Sequence, residues 1–293
     1  MWISPYGNCK STLAKGSTSD KPTLHPYVIL RILMPDVFRD DLLKGTTALI
    51  TGGGTGIGYG IAELFAKCGA DIAIASRKPA NLEPAAERLA EHGSKVIVVP
   101  VNVRKRDAVF AMVEDAATRL GRIDVLVNNA AGNFYAPSAE LTENGWKAVI
   151  ETDLYGTFFC SQAVYPLMVE QGGGSIVSIS MTLHYRGWPK MAHATAAKAG
   201  VDALTRTLAI EWAADKIRVN AVAPGPVPTE GVQKAFGEGG VAIDEKMQRM
   251  IPLGRWGSPE DIANMVAYLC SPAGEWITGQ IFVVDGGGSL SKT

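Results

Sequence analysis

The chain has little net charge, no paired cysteines and no long apolar run. The formal net charge is −1 with charged residues at 19%, so there is no electrostatic case for nucleic acid or an anionic membrane surface as a partner. Cys9, Cys68, Cys160 and Cys270 are scattered with no CxxC pair, which argues for reduced, mostly buried thiols and against a disulfide framework. No His/Cys/Asp cluster has metal-ligand spacing, so no metal is expected. No apolar run approaches the ~20 residues that a membrane span needs. What remains is an ordinary globular composition, 47% hydrophobic over 293 residues, sufficient to bury a large core.

The first 33 residues are rich in Ser, Thr, Lys and Pro, with Asp20 the only acid. A transit peptide shares that bias, but arginine is nearly absent and no amphipathic stripe is clear. "MPDVFRDDLLKGTTALITGGG", from Met34, reads as a natural start, so residues 1–41 are expected to be an extension, either disordered or upstream of the true start. The last residues, "SLSKT", are not the Ser-Lys-Leu peroxisomal address. A cytoplasmic location is expected, or a mitochondrial or peroxisomal one in a eukaryote.

From Leu42 onward, short β-branched runs alternate with stretches of helical period. The runs at 47–51, 71–76, 95–101, 123–128, 174–180, 217–222 and 281–285 predict strands buried on both faces. The periodic stretches at 57–68, 81–92, 107–120, 143–170, 193–214 and 259–270 predict crossover helices. This is the pattern of an α/β, doubly wound parallel sheet, a Rossmann fold in a single domain over 42–293.

"TGGGTGIG" (51–58) follows the first predicted strand and opens the first predicted helix. Gly52 permits the tight turn, Gly56 lets backbone approach a pyrophosphate, and Gly58 allows the helix to pack on the strand. With Thr55 and Ile57 they place phosphate at a helix N-terminus. The second strand ends in Ser76, Arg77 and Lys78 with no carboxylate. An NAD site wants an acid at this point, whereas a 2′-phosphate wants cations, and Arg77 can pair with phosphate through two bonds. NADPH is therefore the expected cofactor, with Asn102 placed to touch the adenine.

Taken together, "TGGGTGIG", "NNAAG" (128–132), the lysine of "AAKAG" and "VAPGPV" (222–227) resemble the short-chain dehydrogenase/reductase family over about residues 42–290. The resemblance implies that Lys198 binds the nicotinamide ribose, that Pro224, Gly225 and Val227 line the nicotinamide, and that Asn129 belongs to the cofactor site. It also exposes departures. The family's ketone reductases carry Tyr four residues before the Lys, where this chain has Ala194. Their Ser seventeen before it falls on Met181, and their helical Asn falls on Asp153. A ketone needs a proton for its emerging alkoxide, and neither Ala nor Met can deliver one.

A conjugated thioester makes a different demand. Hydride addition to a carbon–carbon double bond places negative charge on the thioester oxygen, which needs hydrogen-bond donors there and a later proton for carbon. "NNAAGNF" (128–134), "HATAAKAG" (193–200) and "PGPVPTEG" (224–231) resemble the 2,4-dienoyl-CoA reductases and also the peroxisomal trans-2-enoyl-CoA reductases. That narrower resemblance implies acyl-thioester contacts for Asn133 and Phe134, a substrate contact for Arg104, and an acyl-CoA partner. It further implies a catalytic pairing of Asp153 with Lys198, as in the peroxisomal type. The mitochondrial type has a Tyr where this chain has Leu183; Tyr185 lies two residues away and is a second candidate acid, with His184 beside it. His193 either orients the site or is a hydrogen-bonded structural histidine.

A glycine-interrupted segment at about 227–251 is expected to form a substrate lid. The helices predicted at 143–170 and 193–214 bear apolar residues on more than one face, including Phe158, Phe159, Leu208 and Trp212. Relatives pair such helices, which implies a homotetramer or homodimer. Three functions are open at this stage: an enoyl- or dienoyl-CoA reductase, a carbonyl reductase using Tyr185, and a non-catalytic NADPH-binding protein.

Overall fold

The computed structural model describes residues 38–230 and 248–290. The extension expected at 1–41 lies almost wholly outside them, as do residues 231–247 of the expected lid. Phe38 and Leu42 already pack against the core, and Leu43 is buried within it.

Seven strands form one parallel sheet: β1 (Thr47–Thr51), β2 (Asp71–Ser76), β3 (Val96–Pro100), β4 (Val125–Asn128), β5 (Gly174–Ile179), β6 (Ile217–Pro224) and β7 (Ile281–Val284). Their order is β3-β2-β1-β4-β5-β6-β7. The central strands carry unbroken apolar or small residues because helices cover both faces, so neither side of the strand needs a polar alternation. On one face, Ile50, Ile74 and Val127, register partners across three strands, meet α1 (Gly56–Lys67), α2 (Pro79–Ala90) and α7 (Pro259–Cys270). On the other, Leu49, Leu126 and Ile176 meet α3 (Arg106–Leu120), α5 (Gly156–Gln171) and α6 (Ala192–Glu211). Leu208 belongs to this second layer, 5% exposed, and is therefore a residue of the chain's own core instead of an intersubunit contact.

The strand order reverses between β1 and β4. At such a switch point the crossovers leave in opposite directions and open a crevice beyond the carboxyl ends of the strands, where open α/β sheets bind ligands.

One expected element is divided. In place of a continuous helix over 143–170, α4 (Glu143–Ile150) leads into a π-helical turn at Glu151–Tyr155, and α5 resumes at Gly156. Thr152 Oγ1 donates to Ala148 O and Thr157 Oγ1 to Asp153 O, each at 2.7 Å. Such bonds back onto carbonyls a turn earlier bend helices. A Cβ at Gly156 would lie 2.8 Å from Val103 Cγ2, so the backbone there is pressed against the next segment. Widened turns of this kind recur at functional sites, and this one carries Asp153.

Candidate active site

The glycine loop takes the strand-to-helix geometry that the spacing predicted. Gly56 sits at φ +57°, and a Cβ at Gly58 would lie 2.2 Å from Gly52 O. A side chain is therefore excluded at Gly58 by backbone, the close helix–strand approach that makes room for a pyrophosphate. Asn129 ties the loop from the neighbouring strand: its Nδ2 donates to Thr51 O at 3.0 Å and Gly52 O at 3.2 Å. Thr51 Oγ1 accepts from the amides of Asn129 and Ala130, at 3.0 Å each. At the start of α1, Thr55 makes no side-chain cap, so the first amides of the helix are open to an anion.

Ser76 ends β2, and Arg77 and Lys78 stand exposed immediately after it. Among the described residues no carboxylate pairs with Arg77. Asn102, past the end of β3, accepts from the amide of Arg104 at 3.2 Å. Pro224 ends β6 and accepts at its carbonyl from Thr182 Oγ1 at 3.4 Å; Gly225 follows, and Val227 is buried. Open amides over a glycine loop, a cation and no acid past β2, and a lysine across the crevice fit a nicotinamide dinucleotide. When bound, that cofactor supplies a hydride to a substrate at its nicotinamide end.

Across the crevice the structure brings Asp153 and Lys198 together. They are 1% and 6% exposed, and Lys198 Nζ is 3.6 Å from Asp153 Oδ2. Lys198 Nζ also donates to Ile179 O at 2.7 Å, and the amide of Gly132 donates to Asp153 Oδ1 at 2.8 Å. Burial pushes the Asp153 carboxyl above the usual carboxylate range, opposed by the Lys198 cation and the Gly132 amide. The acid thus keeps a proton to higher pH than an exposed aspartate would.

Around Ala194 and Met181 the neighbours are mostly apolar, with the Tyr135 hydroxyl accepting from Trp188 Nε1 at 3.2 Å. Ala194 packs with Val149 and Met191 in a cluster joined by Phe134, Tyr135, Met181, Leu183 and Trp188. The Phe134 and His193 rings meet nearly perpendicular, with centroids 4.5 Å apart. His193 is fully buried. Burial lowers its pKa, opposed by hydrogen bonding to the Met191 backbone and by the Asp153 charge.

Three other expected residues have specific surroundings. Asn133 Oδ1 accepts from the amide of Phe134 at 2.9 Å. Arg104 Nε donates to Glu151 Oε2 at 2.7 Å, in an ion pair that its second nitrogen completes. Tyr185 is 44% exposed, and its hydroxyl points to Asp202 Oδ2 at 3.5 Å, with Lys198 engaged by Ile179 and Asp153 instead. Burial and the Asp202 carboxylate both raise the Tyr185 pKa.

Asp202 is the residue that sequence reasoning missed. It is 3% exposed and accepts from Ser180 Oγ at 2.5 Å, with His184 Nε2 2.9 Å away. The available signal was an acid four residues after Lys198, hence on the same side of one helix.

Comparison with known proteins agrees with this geometry. The family model described as Enoyl-(Acyl carrier protein) reductase matches residues 52–289. The chain is 42% identical over 258 residues to a peroxisomal 2,4-dienoyl-CoA reductase, (3E)-enoyl-CoA-producing, from Danio rerio, covering 87% of this chain and 85% of that one. A protein of the same name from Arabidopsis thaliana is 41% identical over 269 residues, covering 88% and 89%. A crystal structure of a short chain dehydrogenase from Bacillus anthracis superimposes with a TM-score of 0.76 at 40% identity, covering 85% of this chain and 98% of that one. With the doubly wound sheet, the glycine loop and the crevice lysine in place, the chain belongs to the short-chain dehydrogenase/reductase family and is an oxidoreductase of the kind that uses a nicotinamide cofactor.

Proposed function

We propose that this enzyme reduces a carbon–carbon double bond in an unsaturated fatty acyl-CoA, with NADPH as reductant and a 2,4-dienoyl-CoA or trans-2-enoyl-CoA as substrate. The observation that carries the reading is the buried Asp153–Lys198 pair beside an apolar surface at Ala194 and Met181. Neither Ala194 nor Met181 carries the hydroxyl that a nascent alkoxide would need at those positions, whereas the pair suits an enolate. The names of relatives at about this identity point to the dienoyl substrate, and Arg77 without a neighbouring carboxylate supports the 2′-phosphate.

In this mechanism the reduced chain passes electron density to the thioester oxygen, where Asn133 and Lys198, directly or through water, stabilise the oxyanion. Asp153 holds a proton-donating water or relays a proton from it to carbon. Burial raises its pKa, the direction that favours holding a proton. Phe134 supplies part of the acyl wall, and Arg104, oriented by Glu151, meets the substrate's polar end. Tyr185, engaged with Asp202, plays no acid role. We assign the work to the compartment where unsaturated acyl-CoAs are degraded, a peroxisome or mitochondrion in a eukaryote and the cytoplasm otherwise.

The test is the loss of NADPH absorbance in the near ultraviolet with 2,4-hexadienoyl-CoA, crotonyl-CoA or simple ketones. Turnover of a thioester and not of ketones is expected. Ketone reduction that depends on Tyr185, or cofactor binding with no turnover of any of them, would overturn the reading.

A further inference from the structure

The segment from Ser180 to Tyr185 leaves the carboxyl end of β5 and has two faces with different neighbours. Met181 and Leu183 join the apolar cluster of Phe134 and Ala194, beside the Asp153–Lys198 pair. Ser180, His184 and Tyr185 turn to Asp202, with oxygen-to-donor distances of 2.5, 2.9 and 3.5 Å. Thr182 hangs from Pro224 O, and Lys198 holds Ile179 O.

Lys198 and Asp202 lie one turn apart on α6, so one helix grips the segment at both ends. Asp202 is the larger anchor because both carboxylate oxygens are engaged: Oδ1 by the serine, Oδ2 by the histidine and tyrosine. The His184 and Asp202 side chains are 10% and 4% exposed, so little water is at hand to replace a lost partner. The Tyr185 ring adds to the grip, its centroid 4.2 Å from that of His184. An apolar wall assembled on a flexible loop would yield to chains of different length. A wall pinned from behind by a buried carboxylate would not.

We propose that Asp202 is a positioning residue that sets acyl-chain specificity: by clamping Ser180, His184 and Tyr185 it holds Met181 and Leu183 at a fixed depth against the acyl chain. This rests on the acyl-CoA reading given above. The clamp needs a donor at residue 184. Gln can present an amide N–H where Nε2 stands, whereas Ala cannot.

The experiment uses the full chain and its Asp202→Ala, Ser180→Ala, His184→Ala and His184→Gln variants. KM and kcat are measured with 2,4-hexadienoyl-CoA and 2,4-decadienoyl-CoA, NADPH affinity by fluorescence, and amide hydrogen exchange over residues 180–186. In Asp202→Ala and His184→Ala the ratio of kcat/KM between the two thioesters should move toward unity by about tenfold, the scale on which pocket walls discriminate methylenes. The change should lie in KM, with NADPH affinity unchanged, and exchange should quicken over 180–186 but not over 51–58. His184→Gln should keep the native ratio. If Asp202→Ala fails to fold, Ser180→Ala and His184→Ala each remove one arm and carry the same test.

An unchanged ratio, a parallel loss of NADPH affinity, or His184→Gln behaving like His184→Ala would overturn the proposal. A native chain that turns over neither thioester would sink the acyl-CoA reading and the specificity role with it. The exchange measurement would still decide whether Asp202 fixes the segment.

Discussion

The two sides of the crevice are built on different principles. On the cofactor side the backbone itself dictates the residues: Gly58 has no room for a Cβ against Gly52 O, and Asn129 stitches the loop through main-chain carbonyls. On the substrate side the backbone tolerates many residues, and side-chain chemistry decides the reaction. Ala194, Met181 and Asp153 occupy positions where ketone reductases of the family are expected to have a tyrosine, a serine and an asparagine, yet α6, β5 and the sheet around them are regular. The difference teaches that a sterically determined cradle can be kept while the reaction beside it changes, because the contacts that shape the glycine loop do not involve Ala194, Met181 or Asp153.

That contrast can be broken or sharpened by mutation. The largest effect is expected on the substrate side: Asp153→Ala and Lys198→Ala should each cut turnover by roughly a hundredfold or more, the scale of positioned acid–base groups. Asp153→Ala should leave NADPH affinity intact, and tyrosine introduced at Ala194 should not restore activity. Steady-state kinetics with cofactor titration decides this. Loss of turnover in Tyr185→Phe with Asp153→Asn active would transfer the acid's role to Tyr185.

A second expectation concerns pH. Burial raises the Asp153 pKa, so its proton is held below that raised value and lost as pH climbs through it. Turnover should therefore fall on the alkaline side. Asp153→Asn should remove that limb from whatever rate remains, and a limb that survives in this variant would assign it to another group.

On the cofactor side, Gly58→Ala places a methyl against backbone that cannot move aside. It should destabilise the chain by about 1–3 kcal/mol, the usual cost of overpacking, and weaken NADPH binding, read by thermal melting and fluorescence titration. Arg77→Ala should weaken NADPH binding by about tenfold or more, the value of a lost charge-assisted hydrogen bond, with NADH little affected. Equal losses for the two cofactors would refute the 2′-phosphate assignment.

The smallest effect lies outside the crevice. Tyr155 and Phe158 are 50% and 38% exposed on the turn and helix opposite the sheet, and Ile210 on α6 is 81% exposed. Apolar residues left out of the core on two adjacent helices favour self-association, so light scattering should report a dimer or tetramer. A monomer at micromolar concentration would end that expectation.

Legibility in the sequence follows the same division. Strands such as 71–76 and 174–180 are legible because a doubly covered strand is built of apolar or small residues, and the glycine loop because only glycine meets its steric demands. The interruption at Glu151–Tyr155 was not readable: it depends on Thr152 and Thr157 bonding back to carbonyls and on contact with Val103, none of which alters the helical period. The role of Asp202 is not legible in the sequence, because its partners Ser180 and His184 lie 22 and 18 residues away on another element. Arg104 was legible as a cation but not as the partner of Glu151.

By itself, then, the sequence determined the α/β alternation, the phosphate cradle, the cation past the second strand and the loss of the usual hydroxyls. These are matters of residue type and short spacing, which local sterics and charge convert directly into structure. Only the tertiary structure decided that Asp153 and Lys198 form a buried pair, that His193 is buried against Phe134, and that Ser180, His184 and Tyr185 meet at Asp202. Each requires groups from separate elements to meet out of water, where desolvation makes their charges and hydrogen bonds matter most.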